Sequence, residues 1–201
     1  LDYDEKAGAT FAATHPEATF IGGPIQNVTP EMLLQAAGKQ RGEIDVIVGG
    51  PPCQGYSVNN HQRGEGDPRA SLFREYLRIV EGIQPRWLVM ENVTGITSIA
   101  GGNIVREIFS GMKRLGYRVE MKVLKAEEYG VPQERWRLIL LGSRFAEVPH
   151  PEPTHYASGR ANFRGGGTMT FQLTDTDRER LLPCVTVGEA IGDLPRLEMG
   201  E

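Results

Sequence analysis

Apolar residues along this chain fall either into short continuous runs or into stripes at helical spacing. The runs EIDVIVGG at 43–50 and WLVMENV at 87–93 are nearly unbroken, as expected for strands that are buried on both faces. Between them, residues 70–83 place an apolar side chain every three or four positions, which is the stripe of an amphipathic helix. Helix and strand therefore alternate, and this order predicts an α/β fold with a mostly parallel sheet and helices on both faces.

The remaining elements follow from the same patterns together with helix-start and helix-stop residues. The predicted helices are 5–14, 30–39, 70–83, 103–115 and 185–195, and the predicted strands are 19–23, 43–50, 87–93, 117–124 and 136–143. After residue 148 the chain becomes rich in proline, glycine and polar residues. We therefore expect a core at 1–148 and a loop-rich extension at 149–201.

Composition narrows the class of protein. The chain has 201 residues, of which 39% are hydrophobic, and it contains no stretch long enough to cross a bilayer. It also lacks the basic and apolar start of a secretion signal, so a cytoplasmic protein is expected. Two cysteines, Cys53 and Cys184, lie far apart without histidine partners at metal-ligand spacing, so neither a disulfide framework nor a metal site is expected. The net charge of −4 gives no global attraction to nucleic acid, which would need local basic residues.

Three polar clusters stand next to predicted strands. PPCQ at 51–54 and ENV at 91–93 lie at the ends of two strands, and QERWR at 133–137 leads into another. In open α/β sheets the ligand crevice lies outside the carboxyl ends of the strands, so the first two clusters are expected to face one cleft. A nucleophile, an acid and two arginines are therefore candidates for one active site.

Each candidate also has a purely structural interpretation. Cys53 would ordinarily be a small buried thiol, but the prolines before it stiffen its loop, and a following helix could favour the thiolate. Glu91 would ordinarily be a solvated strand end, whereas in a cleft it could donate a proton near neutral pH. Arg135 and Arg137 would ordinarily be surface charges, but residues two apart on a strand face the same side and could bind a planar or phosphate-bearing ligand.

Taken together, PPCQ, ENV and QERWR, with the linking stretches DPRASLF at 67–73 and YGVPQERWRLI at 129–139, resemble the cytosine-5 DNA methyltransferases. Order and spacing match over nearly the whole chain. The resemblance implies a Rossmann-like, S-adenosylmethionine-dependent methyltransferase fold that acts on double-stranded DNA. It implies that Cys53 adds to carbon 6 of a flipped-out cytosine and that Glu91 protonates N3. Arg137 would bind the cytosine O2, and Arg135 would hold a phosphate or brace the nucleophile loop.

The resemblance also implies the cofactor site. Asp2 would bind the ribose hydroxyls of S-adenosylmethionine, and Tyr3 would pack on the adenine. Ile25, Pro52 and Leu72 match further positions of that pocket.

Contacts to DNA follow from the same resemblance. Gln54, Ser57, Asn92 and Gln133 match substrate-binding positions, and the polar segment from Gln54 to about Ser71 matches a mobile loop that closes over the DNA.

Several expectations remain alternatives at this point. The family's glycine-rich first motif and its target-recognition region are not recognisable, so the fold is expected to be incomplete at both ends, with the remaining parts of the enzyme as partners. We favour the catalytic portion of a restriction-modification or solitary bacterial enzyme. We expect this portion to be weak or inactive in isolation. Relatives that methylate tRNA share the active-site motifs, so a tRNA substrate is an alternative. A cysteine hydrolase or acyltransferase with His61 as the base, and a non-catalytic binding module, are the two alternatives of a different class.

Overall fold

Helices and strands alternate in the computed structural model, which describes residues 1–52, 72–156 and 180–195. The helices are α1 (Glu5–Thr14), α2 (Pro30–Ala37), α3 (Leu72–Ile83), α4 (Asn103–Arg114) and α5 (Val187–Ile191). The strands are β1 (Val46–Gly49), β2 (Trp87–Val93), β3 (Arg118–Lys125), β4 (Trp136–Ser143), β5 (His155–Tyr156) and β6 (Leu182–Pro183). Short 3₁₀ turns lie at Ile25–Asn27, Thr94–Thr97, Ile99–Gly102 and Ala126–Tyr129.

Four strands form the main sheet in the order β1-β2-β4-β3. β1 and β2 are parallel, with Val46 opposite Trp87. The backbone N–H of Arg144, just after β4, donates to the carbonyl of Arg86, just before β2, at 3.2 Å. The end of one strand therefore meets the start of the other, as in an antiparallel pair. The sheet is mixed, and the predicted mostly parallel arrangement matches it only loosely.

One face of this sheet forms the hydrophobic core with α3 and α4. Alternate residues of β2 and β4 point to the same side, and the apolar stripes of the two helices cover them. The fully buried members are Val80, Leu88, Met90, Ile96, Ile108, Met112, Leu138 and Leu140. Burying one such side chain contributes about 1.5–3 kcal/mol, so this cluster is the main source of stability.

The opposite face of β1 is open among the described residues. Val46 and Val48 point to this face, and they are 48% and 71% exposed. Ile47, which points the other way, packs against the core. The predicted covering of both faces by helices is therefore not seen at β1 within the described part of the chain.

Helix boundaries are set by capping residues. Thr29 caps α2 by accepting from the Met32 N–H at 3.3 Å, and Pro30 takes the first helical position, as predicted. α2 ends two residues earlier than predicted because Gly38 adopts a left-handed conformation with φ of 61°. Asp4 caps α1 by accepting from the Lys6 N–H at 2.8 Å. In the described residues no helix is both long and apolar enough to cross a membrane.

The predicted strand at 19–23 is wrong. This segment makes only an isolated parallel bridge, in which Gly22 pairs with Asp2. Phe20, which gave the segment its apolar character, packs its ring directly on Gly8 of α1, where a β-carbon would lie 2.2 Å from the ring. The apolar residue therefore anchors the N-terminal helix instead of a sheet.

The chain divides into two compact units. The first comprises Leu1–Lys122 and Leu138–His150, and the second comprises Val123–Arg137 and Pro151–Glu201. The second unit contains the connection from β3 to β4 and the parallel pair β5–β6. The domain boundary expected at residue 148 stays a prediction.

Gly49, the last residue of β1, lies against the ring of Tyr76 from α3. A β-carbon at Gly49 would lie 2.6 Å from Tyr76 Cε2, closer than side-chain atoms approach one another in proteins. The Tyr76 hydroxyl donates to the Val89 carbonyl at 3.1 Å, so the ring has little freedom to move away. Burial raises the pKa of Tyr76, which keeps this hydroxyl a donor.

We therefore predict that Gly49→Ala lowers the free energy of unfolding by about 1–3 kcal/mol through overpacking, measured by urea denaturation. Gly95→Ala is the matched control, because a β-carbon there meets nothing within 4 Å. This control should change stability by less than about 0.5 kcal/mol. Equal losses in the two variants would contradict the assigned close contact.

Candidate active site

The ends of β1 and β2 lie side by side because the two strands are parallel neighbours. β1 is followed by Gly50, Pro51 and Pro52, and β2 ends with Glu91 and Asn92. The structure thus brings the start of the PPCQ loop against the ENV segment. Pro52 is exposed at the last described position of this loop.

Cys53, Gln54 and Ser57, with the predicted mobile loop, lie outside the described residues.

Asn92 connects the two strand ends directly. Its side-chain Nδ2 donates to the Pro51 carbonyl at 3.0 Å, and its Oδ1 accepts from the Val93 N–H at 2.9 Å. The residue is only 4% exposed, so both polar ends of the amide are paired within the protein, as buried polar groups require. In the structure Asn92 holds the loop that leads to Cys53, a role that sequence reasoning missed, whereas its predicted contact with substrate stays a prediction.

Glu91 lies on the other face of β2 from Asn92, because neighbouring strand residues alternate in direction. Its side chain is half-buried and reaches over the end of β1, where its Oε2 would lie 3.1 Å from a β-carbon at Gly50. The lack of a side chain at Gly50 therefore leaves room for the carboxyl group. An acid is positioned immediately beside the backbone that leads into the predicted nucleophile loop.

In the second unit, Trp136 begins β4 and its side chain is held by two charged groups. Its Nε1–H donates to Glu127 Oε1 at 2.7 Å, and the Lys125 ammonium lies 4.9 Å from the centre of its ring. Lys125 in turn pairs with Glu128 at 2.7 Å. A lysine over an indole ring gains a cation–π attraction, which further fixes the ring. Sequence reasoning missed this support, although Lys125, Glu127 and Glu128 stand together just before the QERWR motif.

Arg135 and Arg137 flank this anchored tryptophan. Arg135 immediately precedes β4, and Arg137 is the second residue of that strand. Arg135 is exposed, whereas Arg137 is half-buried, with its Nη1 donating to the Trp136 carbonyl at 2.8 Å. Gln133 is exposed in the turn before them. The expectation that the two arginines face the same side stays a prediction.

Asp2 and Tyr3 form an accessible acidic and aromatic pair next to a glycine-rich turn. Asp2 bridges to Gly22, and one oxygen of its carboxylate accepts from the Asp4 N–H at 3.0 Å. Tyr3 is 79% exposed. A carboxylate that can accept from paired hydroxyls, beside an open aromatic ring, fits the ribose and adenine of a nucleoside.

Besides Pro52, the remaining cofactor candidates in the described residues, Ile25 and Leu72, lie on elements that pack together. Ile25 begins a 3₁₀ turn, and Leu72 begins α3, and both residues are half-buried. The turn and the helix are joined by Arg78, which sequence reasoning did not single out. Its Nη2 donates to the Ile25 and Val28 carbonyls at 3.0 and 2.9 Å.

Comparison with known proteins identifies the family of this arrangement. The sequence profile of the C-5 cytosine-specific DNA methylases matches residues 1–185. The chain belongs to this family. It is 35% identical over 196 residues to the Type II methyltransferase M.AgeI of Thalassovita gelatinovora, a match that covers 96% of this chain and 44% of that protein. It is 33% identical over 204 residues to the Type II methyltransferase M.AquIA of a Picosynechococcus strain, and this match covers 97% of this chain and 78% of that protein.

Solved structures agree with the family at the level of the fold. The structure of a prophage-encoded DNA modification methyltransferase of E. coli superposes with a TM-score of 0.67 at 24% identity, over 97% of this chain and 47% of that one. The DNMT2 structure from Spodoptera frugiperda superposes with a TM-score of 0.54 at 23% identity, over 71% of this chain and 40% of that one. The predicted methyltransferase fold is confirmed. M.AgeI and M.SacI, a Type II methyltransferase of Streptomyces achromogenes, are about twice as long as the segment that the chain matches, at 44% and 50% coverage.

The Asn92 amide provides a direct test of how this chain holds Pro51, at the start of the predicted nucleophile loop. We predict that Asn92→Leu lowers the free energy of unfolding by about 1–3 kcal/mol, because the carbonyl of the half-buried Pro51 and the Val93 N–H lose their partner and the buried amide is removed. Asn92→Asp should also destabilise, since a carboxylate would face the Pro51 carbonyl instead of a donor. Urea denaturation measures both losses.

Asn103→Leu serves as the control, because Asn103 is exposed and bonds only locally, accepting from Arg106 at 2.8 Å. It should change stability by about 0.5 kcal/mol or less. A stable Asn92→Asp variant would argue against the Asn92–Pro51 hydrogen bond.

Proposed function

We propose that this chain is the catalytic part of a type II bacterial methyltransferase that transfers a methyl group to carbon 5 of cytosine in double-stranded DNA. The observation that carries the proposal is the 3.0 Å hydrogen bond from Asn92 to the Pro51 carbonyl, which holds the backbone two residues before Cys53 against the strand end bearing Glu91. The relatives M.AgeI and M.AquIA, both named Type II methyltransferases, support the same class of enzyme.

The chemistry explains the residue types. Carbon 5 of cytosine is a weak nucleophile, so we propose that the Cys53 thiolate first forms a bond to carbon 6 while Glu91 delivers a proton to N3. The C4–C5 bond thereby gains the character of an enamine, and carbon 5 is able to accept the methyl group. S-adenosylmethionine, when bound, would supply that group as a sulfonium methyl, whose S–CH₃ electrons would leave with the neutral thioether sulfur. Loss of the C5 proton to a base would then expel Cys53 and restore the C5–C6 double bond, and the proton on N3 would return to Glu91.

The two arginines have complementary roles in this proposal. Arg137 would donate to the cytosine O2 and offset the negative charge that develops on the ring. Arg135, which is exposed, would hold a DNA phosphate or brace the nucleophile loop. Gln54, Ser57, Asn92 and Gln133 are proposed to contact the DNA around the extruded base. The anchored Trp136 supports these roles because it fixes the start of β4, where Arg135 precedes it and Arg137 follows it.

S-adenosylmethionine is the proposed methyl donor. Asp2 would accept from the ribose hydroxyls, and Tyr3 would cover the adenine ring. Ile25, Pro52 and Leu72 would supply apolar contacts. The exposed ring of Tyr3 and the adjacent carboxylate of Asp2 are the features of this chain that fit such a nucleoside.

The proposed partners follow from the net charge of the chain and from the share of its relatives' length that it matches. With a net charge of −4, the chain would meet DNA through local basic groups such as Arg135, and most of the DNA-binding surface would come from other parts of the enzyme. A DNA substrate in a bacterium places the enzyme in the cytoplasm.

Covalent trapping tests the proposal. The full-length enzyme is incubated with S-adenosylmethionine and duplexes that carry 5-fluorocytosine in many sequence contexts, and the products are separated on a denaturing gel. Fluorine cannot leave as a proton does, so the bond between sulfur and carbon 6 persists. We predict a protein–DNA adduct with the wild-type enzyme and none with Cys53→Ser.

Cys184→Ser is the matched control, because it removes the second cysteine, which lies in the described residues and is partly buried. This variant should form the adduct as the wild type does. If the wild-type enzyme forms no adduct in any sequence context, the methyltransferase proposal is wrong and a non-catalytic binding role replaces it.

A further inference from the structure

Arg78 on α3 makes three hydrogen bonds that the proposed chemistry does not use. Its Nη2 donates to two backbone carbonyls, those of Ile25 at 3.0 Å and Val28 at 2.9 Å. Its Nε donates to the Glu75 carboxylate at 2.7 Å. The Arg78 side chain is 38% exposed, so these bonds are partly shielded from water. One guanidinium thus connects α3 with both ends of a single turn.

The turn that Arg78 holds has little support of its own. It is a three-residue 3₁₀ turn, Ile25–Asn27, without a side-chain cap at its start. Its internal hydrogen bonds run from the Asn27 N–H to the Pro24 carbonyl at 2.9 Å and from the Val28 N–H to the Ile25 carbonyl at 3.1 Å. Short 3₁₀ segments have poor hydrogen-bond geometry and depend on outside contacts. The charged donor from α3 is such a contact, and charge-assisted bonds are stronger than neutral ones.

Both elements joined by Arg78 carry proposed cofactor contacts. The turn contributes Ile25, and α3 begins at Leu72. We propose that Arg78 is a positioning residue that fixes the Ile25 turn against α3 and so preserves the shape of the S-adenosylmethionine pocket. This inference rests on the proposed function, because it concerns the cofactor site of that enzyme. Arg78 acts through the backbone of the turn and does not itself contact the cofactor.

Arginine suits this position better than lysine would. Its planar fork presents Nε to Glu75 and Nη2 to the two carbonyls at the same time, in fixed directions. A lysine ammonium is a single point with rotating donors, so it could keep the charge but could not serve both directions with equal geometry. Glu75 orients the fork and balances its charge.

The test compares cofactor affinity in the full-length enzyme and its variants. By isothermal titration, Arg78→Met should raise the dissociation constant for S-adenosylmethionine about tenfold, and Arg78→Lys should raise it by a smaller factor. In steady-state kinetics the KM for S-adenosylmethionine should rise with the dissociation constant, while kcat and the KM for DNA should stay within about twofold, as expected when only binding is lost.

Arg74→Met is the matched control. Arg74 lies four residues earlier on α3 and pairs with Glu107 of α4 at 2.7 and 3.0 Å. The substitution therefore removes an arginine ion pair from the same helix but leaves the hydrogen bonds to the Ile25–Asn27 turn in place. This variant should leave cofactor affinity unchanged.

Amide hydrogen exchange of Asn27 and Val28, measured without cofactor, gives an independent readout. It should accelerate in Arg78→Met and not in Arg74→Met.

The outcomes separate the two levels of the proposal. If Arg78→Met binds S-adenosylmethionine as the wild type does, or leaves exchange at Asn27 and Val28 unchanged, the positioning role is overturned while the enzyme assignment stands. If the wild-type enzyme itself fails to bind S-adenosylmethionine, the proposed function fails, and the positioning role fails with it. Should Arg78→Met not fold, Arg78→Lys carries the test, because it retains the charge; wild-type affinity and exchange in that variant would overturn the inference.

Discussion

The parallel pairing of β1 with β2 determines where the chemistry of this chain can take place. β1 has only four residues, and its pairing with β2 brings the carboxyl ends of both strands to the same edge of the sheet. Two side chains secure this short strand: the Tyr76 hydroxyl of α3 lies 3.5 Å from the Ile47 carbonyl of β1 and 3.1 Å from the Val89 carbonyl of β2, and Asn92 bonds to Pro51 just after β1. Together with the strand pairing, these contacts fix Pro51 relative to Glu91, so that the proposed nucleophile Cys53 would follow beside the proposed acid.

The proposed catalytic groups depend on supporting residues that are not catalytic themselves. In the first unit, Asn92 holds the start of the loop, and Gly50 leaves room for the Glu91 carboxyl group. In the second unit, Glu127 and Lys125 hold Trp136, which lies between the two arginines in the sequence. In each case a buried or partly buried polar group is paired before it meets a substrate, so little reorganisation is required when the reaction occurs. Arg78 extends the same principle to the cofactor side.

Elements with a strong local pattern could be predicted from the sequence. The bounds of α1, β2 and β4 agree with the predictions, because in these segments the hydrophobic pattern stops where residues typical of element ends begin. The strand predicted at 19–23 was wrong because Phe20 packs on Gly8 of α1, a contact that no periodicity reveals. The antiparallel direction of β4 was also missed, since an apolar run looks the same in either direction. The site residues came from motifs, but Arg78 joins residues about fifty positions away, a distance over which sequence patterns carry no signal.

A crystal structure of the full-length enzyme trapped on a 5-fluorocytosine duplex would test the proposed mechanism most directly. We predict that Cys53 Sγ is bonded to carbon 6 of an extruded base and that a Glu91 carboxyl oxygen lies about 3 Å from N3. We also predict that the Asn92–Pro51 hydrogen bond of 3.0 Å is retained in the complex. A base that stays stacked in the duplex, or a Glu91 carboxyl directed away from N3, would contradict the proposed mechanism.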